Sequence, residues 1–171
     1  MANKEQLEIL RQGVKVWNMW REENPEAEID LRGANLREAD LREANFFETE
    51  LIRADLREAN LFQARLSSAD LREAKLTRAD LRQANLYEAH LVGAHLIDAN
   101  LSFVNIRRAD LNGAILGGAI FSQTDLSKTY GLENISHAYP STIGTDTIQL
   151  SRGEIPEVFL RGCGLSDLDI E

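Results

Sequence analysis

From Leu31 to Leu126 an apolar residue stands at every fifth position. The centres are Leu31, Leu36, Leu41, Phe46, Leu51, Leu56, Leu61, Leu66, Leu71, Leu76, Leu81, Leu86, Leu91, Leu96, Leu101, Ile106, Leu111, Leu116, Phe121 and Leu126. Alanine precedes nearly every centre by two residues, from Ala34 to Ala119; Ile29, Thr49, Val104 and Thr124 fill that slot elsewhere. A period of five suits neither regular element. On an α-helix, five steps of about 100° leave successive leucines about 140° apart, so no single face can be buried. On one continuous strand the odd spacing sends successive leucines to opposite faces. A coil keeps every fifth residue inside if each pentapeptide forms one short side and the chain then bends. The centre points in, the small alanine sits near a corner, and the other three positions face water. Those three are polar, with Arg-Glu after Leu36, Leu41, Leu56 and Leu71 and Asp or Asn before most centres. Short Asp and Asn side chains suit bends because they hydrogen-bond nearby backbone.

Strings such as Ala39-Asp40-Leu41-Arg42-Glu43, Ala69-Asp70-Leu71-Arg72-Glu73 and Ala84-Asn85-Leu86-Tyr87-Glu88 carry the pattern A-(D/N)-L-x-x. In this the chain resembles the pentapeptide-repeat proteins, over residues 29–128. The resemblance implies an all-β solenoid, a right-handed quadrilateral β-helix with four pentapeptides per coil; the period alone does not choose four sides over three. Twenty centres at four per coil predict about five coils, and at a strand spacing of about 4.8 Å a rod roughly 24 Å long. Open coil ends expose apolar side chains and unpaired strand edges, so both need covering.

Residues 1–28 and 129–171 are the expected covers. Leu7, Leu10, Val14 and Trp17 recur at helical spacing within residues 4–23, predicting one amphipathic helix that ends at Asn24-Pro25 and lies over the first coil. A membrane-surface helix calls for a more basic polar face than Lys4, Arg11, Lys15 and Arg21 among several glutamates. After Leu126 the register dissolves into an irregular segment. Ile143, Ile148, Leu150, Val158, Phe159 and Leu160 are its candidates to cover the last coil, with a short helix around Glu157 to Arg161. The stretches Pro140 to Ile148 and Ile155 to Leu165 also resemble the linker that precedes toll/interleukin-receptor-like domains in bacterial modular proteins. That resemblance implies an N-terminal module of a longer signalling protein, or a relative of one.

Charge decides between two uses of such a rod. The formal net charge is −9, and the resemblance raises duplex mimicry, since some pentapeptide-repeat proteins inhibit type II topoisomerases by resembling DNA. A mimic needs dense negative charge along the rod, because DNA carries one every 1.7 Å or so of axis. Residues 30–128 hold 15 acidic and 13 basic side chains, against 6 and 4 before them and 7 and 2 after. The acidity lies in the tail, so mimicry is the alternative and a protein-binding or scaffolding module is the expectation. The same charge opposes nucleic-acid binding.

No phosphate-binding loop, dinucleotide fingerprint, zinc-protease motif or nucleophile elbow is present in the sequence, and no enzyme activity, cofactor or metal is expected. Asp70, His90 and Asp110 fall at twenty-residue intervals, but a row along a convex rod does not converge as metal ligands do. Among outward apolar positions, Phe47, Phe62, Tyr87 and Phe103 are the candidate interaction surface, beside Ile52, Val92 and Ile97; the partner itself is not named by the sequence. No stretch approaches the length of a membrane span and no signal sequence opens the chain, so a cytoplasmic location is expected. Cys163 is the single cysteine, which fits a reducing compartment.

Overall fold

The computed structural model describes residues 1–170. In most pentapeptides the alanine N–H donates to the carbonyl of the preceding centre, as Ala34 to Leu31 and Ala74 to Leu71 (both 3.0 Å), closing a four-residue turn. The third residue of that turn has positive φ. Gly33, Gly93, Gly113 and Gly118 occupy this slot at four corners, and side-chain-bearing residues at fifteen others, from Glu38 (58°) to Gln123 (52°). A left-handed backbone costs such a residue roughly 1–2 kcal/mol, so these corners persist because neighbouring coils fix them. The centre and the turn residue donate to the next coil (Leu71 to the His90 carbonyl, 2.8 Å; Glu73 to Val92, 3.0 Å), while the residue before the centre reaches back (Asp70 to Thr49, 3.0 Å).

These rungs make parallel bridges twenty residues apart, Asn35 with Asp55, Asp55 with Lys75, and Lys75 with His95. A twenty-residue step is four pentapeptides per coil. Runs of regular strand are short: β1 (Ile29–Asp30) pairs with β2 (Thr49–Glu50) at the first coil. All twenty centres lie inside, none more than 5% exposed, and the alanine slots form the second buried layer, with Thr49 and Thr124 fully buried among them. Ala39 is only half-buried.

Two helices, not one, precede the rod: α1 (Lys4–Arg11) and α2 (Val14–Glu23). Gly13, at φ 112°, separates them with a backbone no helix contains. Leu10 and Trp17 are buried, Leu7 and Val14 half-buried. Trp17 stacks on Trp20 (5.7 Å between centroids) and tilts against Phe46 (5.9 Å). The polar residues of these helices address the open edge of the first coil. Asn18 donates to the Glu43 carbonyl (3.0 Å) and accepts from the Asn45 N–H (2.8 Å). The Trp17 indole donates to the Asn45 carbonyl (2.9 Å) and Arg21 to that of Phe47 (2.8 Å). Gln6 bridges the Glu28 carbonyl and the Asp30 N–H.

At the other end the register does not dissolve; it slips. Asp110 still meets Tyr130 at twenty residues. Then β3 (Ile115–Leu116) pairs with β5 (Ser136–His137) at twenty-one, and β4 (Ile120–Phe121) with β6 (Thr142–Ile143) at twenty-two. One residue has been added on each of two sides. The next side is replaced by α3 (Thr145–Leu150), whose hydroxyls stand in for a backbone rung. The Thr147 hydroxyl accepts from the Thr124 N–H (3.2 Å) and donates to the Phe121 carbonyl, and Ser151 just beyond accepts from the Leu126 N–H (3.0 Å). α4 (Glu157–Gly162) then seats Phe159, fully buried, edge-on against Phe121 (5.8 Å), and α5 (Asp167–Ile170) follows. Leu150 and Val158, grouped with the covering residues by sequence, are 44% and 55% exposed, because the faces of their short helices turn them to water.

Candidate interaction surface

The turns throw two side chains per pentapeptide outward, so the rod presents four corners of stacked residues. Their charges are tied together in two ways. Where Asp precedes a centre and Arg follows it, the carboxylate accepts both the Arg backbone N–H and its guanidinium: Asp30 with Arg32, Asp40 with Arg42, Asp55 with Arg57, Asp70 with Arg72, Asp80 with Arg82. The Arg32 hydrogen bond pulls the Asp30 carboxyl down to about 2, and the same arginine contact lowers Asp40, Asp55 and Asp80. At Asp70 burial opposes the contact with Arg72, and the net effect is still downward. Other pairs run along the rod between coils, including Arg53 to Glu73 (2.7 Å) and Arg37 to Glu58 (2.8 Å). The glutamates after Arg42, Arg57 and Arg72 sit at the positive-φ position, and these arginines turn back to the aspartate; Arg37, which follows Asn35, meets Glu38 instead (3.1 Å).

The four candidate aromatics occupy different surroundings. Phe47, 44% exposed, lines a cavity of about 670 Å³ between the N-terminal loop and the first coils, with Arg21 and five carboxylates, those of Glu26, Glu28, Asp30, Glu48 and Glu50, among its lining. Phe62 is half-buried beside α2; Arg82 lies over its ring at 5.7 Å, and it shares a cavity with Met19. Tyr87 is half-buried and its hydroxyl accepts from Arg108 (2.8 Å). Phe103 is 56% exposed and holds the positive-φ slot at 59°. Ile52, Val92 and Ile97 are half-buried. His90 does stack between Asp70 and Asp110, yet the Asp70 carboxylate is engaged by Arg72.

Tyr130 and Tyr139 were not singled out by sequence. Tyr130 continues the column of Asp30, Glu50, Asp70, His90 and Asp110, a position that counting one coil further would have found. Tyr139 lies across the Gly117-Gly118 corner, its hydroxyl donating to Asp98 (2.8 Å).

The model of pentapeptide repeats matches residues 27–63, 64–102 and 105–130. The chain belongs to the pentapeptide-repeat family. The known fold of this family is a right-handed β-helix, and the twenty-residue ladder is its repeat. A solved pentapeptide repeat protein of the cyanobacterium Cyanothece 51142 is 31% identical, covering 74% of this chain and 97% of its own, with a TM-score of 0.65. HetL, a pentapeptide repeat protein involved in heterocyst differentiation regulation in the cyanobacterium Nostoc, is 33% identical; the match covers 61% of this chain and half of HetL, with a TM-score of 0.42. A pentapeptide repeat protein of the Arabidopsis thaliana thylakoid lumen is 26% identical over 70% of this chain and 78% of its own, with a TM-score of 0.41. No curated protein matches the chain. No helix among the described residues is long and apolar enough to cross a membrane.

Proposed function

We propose that this pentapeptide-repeat chain is a non-enzymatic protein-binding or scaffolding module of the cytoplasm. Its rod of about five coils, covered at one end by residues 1–28 and at the other by 129–171, holds corner side chains at fixed positions for a protein partner. Phe103 is the observation that carries this. A bulky aromatic residue in the left-handed region is an outlier, and here it gains little burial in return, being 56% exposed. The coil imposes that backbone at every corner, so what sets Phe103 apart is an exposed aromatic ring in a slot that polar residues or glycine fill elsewhere, and an exposed ring among polar corners points to contact with a partner. The segment after the rod, by its resemblance to a linker, would join the module to a signalling domain.

The test is capture of partners from the host by the intact chain and by Phe103→Ser, with circular dichroism establishing that the fold is kept. Loss of a specific partner with Phe103→Ser supports display by the corners; retention of every partner would move binding to the ends. Duplex mimicry stays the alternative, and the near balance of charge along the rod, with each Asp of the repeats Asp-Leu-Arg neutralised in place, weighs against it. Inhibition of gyrase supercoiling by the intact chain would reinstate it.

A further inference from the structure

One corner of the rod gathers cations around a cavity whose wall, among the described residues, holds no carboxylate. Tyr87, Arg107, Arg108, Lys128 and Tyr130 line a cavity of about 460 Å³, so its lining among the described residues carries three cations, two phenols and no carboxylate. The contrast with the cavity at Phe47, lined by five carboxylates, is a contrast of sign. The repeat explains it. Arg107 follows Asn105, not Asp, so the clamp that neutralises Arg32, Arg42, Arg57, Arg72 and Arg82 is missing here; the nearest carboxylate, Asp125, stands at 3.7 Å, beyond direct hydrogen-bond distance.

Donors remain free on three of the lining residues. The Tyr87 hydroxyl accepts from Arg108, which leaves its own proton to donate elsewhere. Lys128 has one carboxylate partner, Glu154, and an ammonium has three N–H groups. Arg108 is engaged by both Tyr87 and Glu88, which raises its pKa and fixes it as the back wall. Tyr130, 56% exposed, adds an aromatic face at the rim. An adjoining cavity of about 230 Å³ shares Arg107 and Lys128 and adds Arg152, with Asp125 and Glu154 also in its wall.

We propose that this corner is a recognition pocket for an acidic peptide segment that carries an aromatic side chain. Carboxylates would take the free donors of Tyr87, Arg107 and Lys128, and the ring would lie against the tyrosines. Local anionic charge fits better than a long polyanion. Glu88, Asp125 and Glu154 stand behind the cations, and a chain of net charge −9 repels extended negative charge once it leaves the pocket. This assignment rests on the protein-binding function proposed above and specifies one partner chemistry for it.

The experiment is calorimetric titration of the full chain with four probes: a hexapeptide alternating Glu and Phe, its Lys and Phe counterpart, a Gly and Ser control, and oligothymidylate. The Glu and Phe peptide should bind, less tightly as salt is raised. Its affinity should fall about tenfold in the double variant Arg107→Gln with Lys128→Gln, and about fivefold in Tyr87→Phe, which keeps the ring and removes the donor. All these side chains are on the surface of the rod, so circular dichroism should be unchanged. Equal binding of the Lys and Phe peptide, affinity unmoved by the double variant, absence of binding, or tighter binding of oligothymidylate would each overturn the assignment. Failure here with the Phe103-dependent partner still captured removes this pocket alone; loss of both removes protein display by the corners.

Discussion

Trp17 offers a direct measure of what the N-terminal helices do for the rod. It is fully buried, packed between Trp20 and Phe46, and its indole donates to the Asn45 carbonyl on the edge of the first coil. Trp17→Ala removes a large ring from a site with no solvent access, a change that costs about 3–5 kcal/mol. Trp17→Phe keeps an aromatic ring and loses the hydrogen bond, which by itself is worth about 1 kcal/mol. For a chain of this length each kcal/mol moves the melting temperature by roughly 2–4 °C. The alanine variant should therefore melt roughly 6–20 °C lower, with the phenylalanine variant nearer the parent. Far-ultraviolet circular dichroism is the readout of choice, because Trp17 is one of only two tryptophans and its loss would distort fluorescence. Coils contact only their neighbours, so damage at one end should appear as early fraying of that end ahead of the main transition. Sedimentation should also show association through the uncovered edge. A loss smaller than about 1 kcal/mol, with no association, would refute the view that these helices hold the first coil.

Other substitutions probe the corners and the far end. Gly118→Ala drives a methyl carbon into the Asp98 carboxylate and to 2.9 Å from the Tyr139 ring, whereas Gly113→Ala meets open space at nearly the same φ; denaturant unfolding should show about 1 kcal/mol lost at Gly113 and distinctly more at Gly118. Thr147→Val strands the buried Thr124 N–H and should cost about 1–3 kcal/mol by the same measurement. Asp30, Asp40, Asp55 and Asp80 have folded-state pKa values below their unfolded ones, so the stability they add is present above about pH 4 and lost as pH falls through the folded values, near 2 for Asp30; an acid titration of the melting temperature should decline in that window. Burial pushes the Cys163 thiol up to about 12, so it should resist alkylation at pH 8 in the folded chain and react once denatured.

The family and its coil were legible because the centres repeat without a break for nearly a hundred residues, with alanine before almost all of them, and neither a plain helix nor a plain strand buries that period. The limits of legibility fall where the period is broken by single residues. Gly13 divides the first helix, although the apolar spacing runs straight across it. Past Tyr130, the two added residues shift the pairing from twenty to twenty-one, where Leu116 meets His137, and then to twenty-two, where Phe121 meets Ile143, and the eye loses a register that the backbone keeps. The outward slots of Phe47, Phe62, Tyr87 and Phe103 follow from counting, but their companions do not. Arg21 beside Phe47 and Met19 beside Phe62 come from helices whose placement the repeat does not encode. The partner of each arginine is hidden for a similar reason. It depends on the turn's handedness at the residue after it, a property of φ that letters alone do not display.

The ladder of twenty also makes the rod an indexing device. The N-terminal helices hold the first two coils and the tail the last two, so pentapeptides could be gained or lost between them without disturbing either terminus. One added pentapeptide would rotate the far end by a quarter turn while lengthening the rod by only about 1.2 Å, a quarter of the strand spacing; four would restore the original facing and extend it by about 4.8 Å. The relative bearing of whatever grips the two ends is thus set by an integer, the number of five-residue units between them, and is adjusted in steps of ninety degrees.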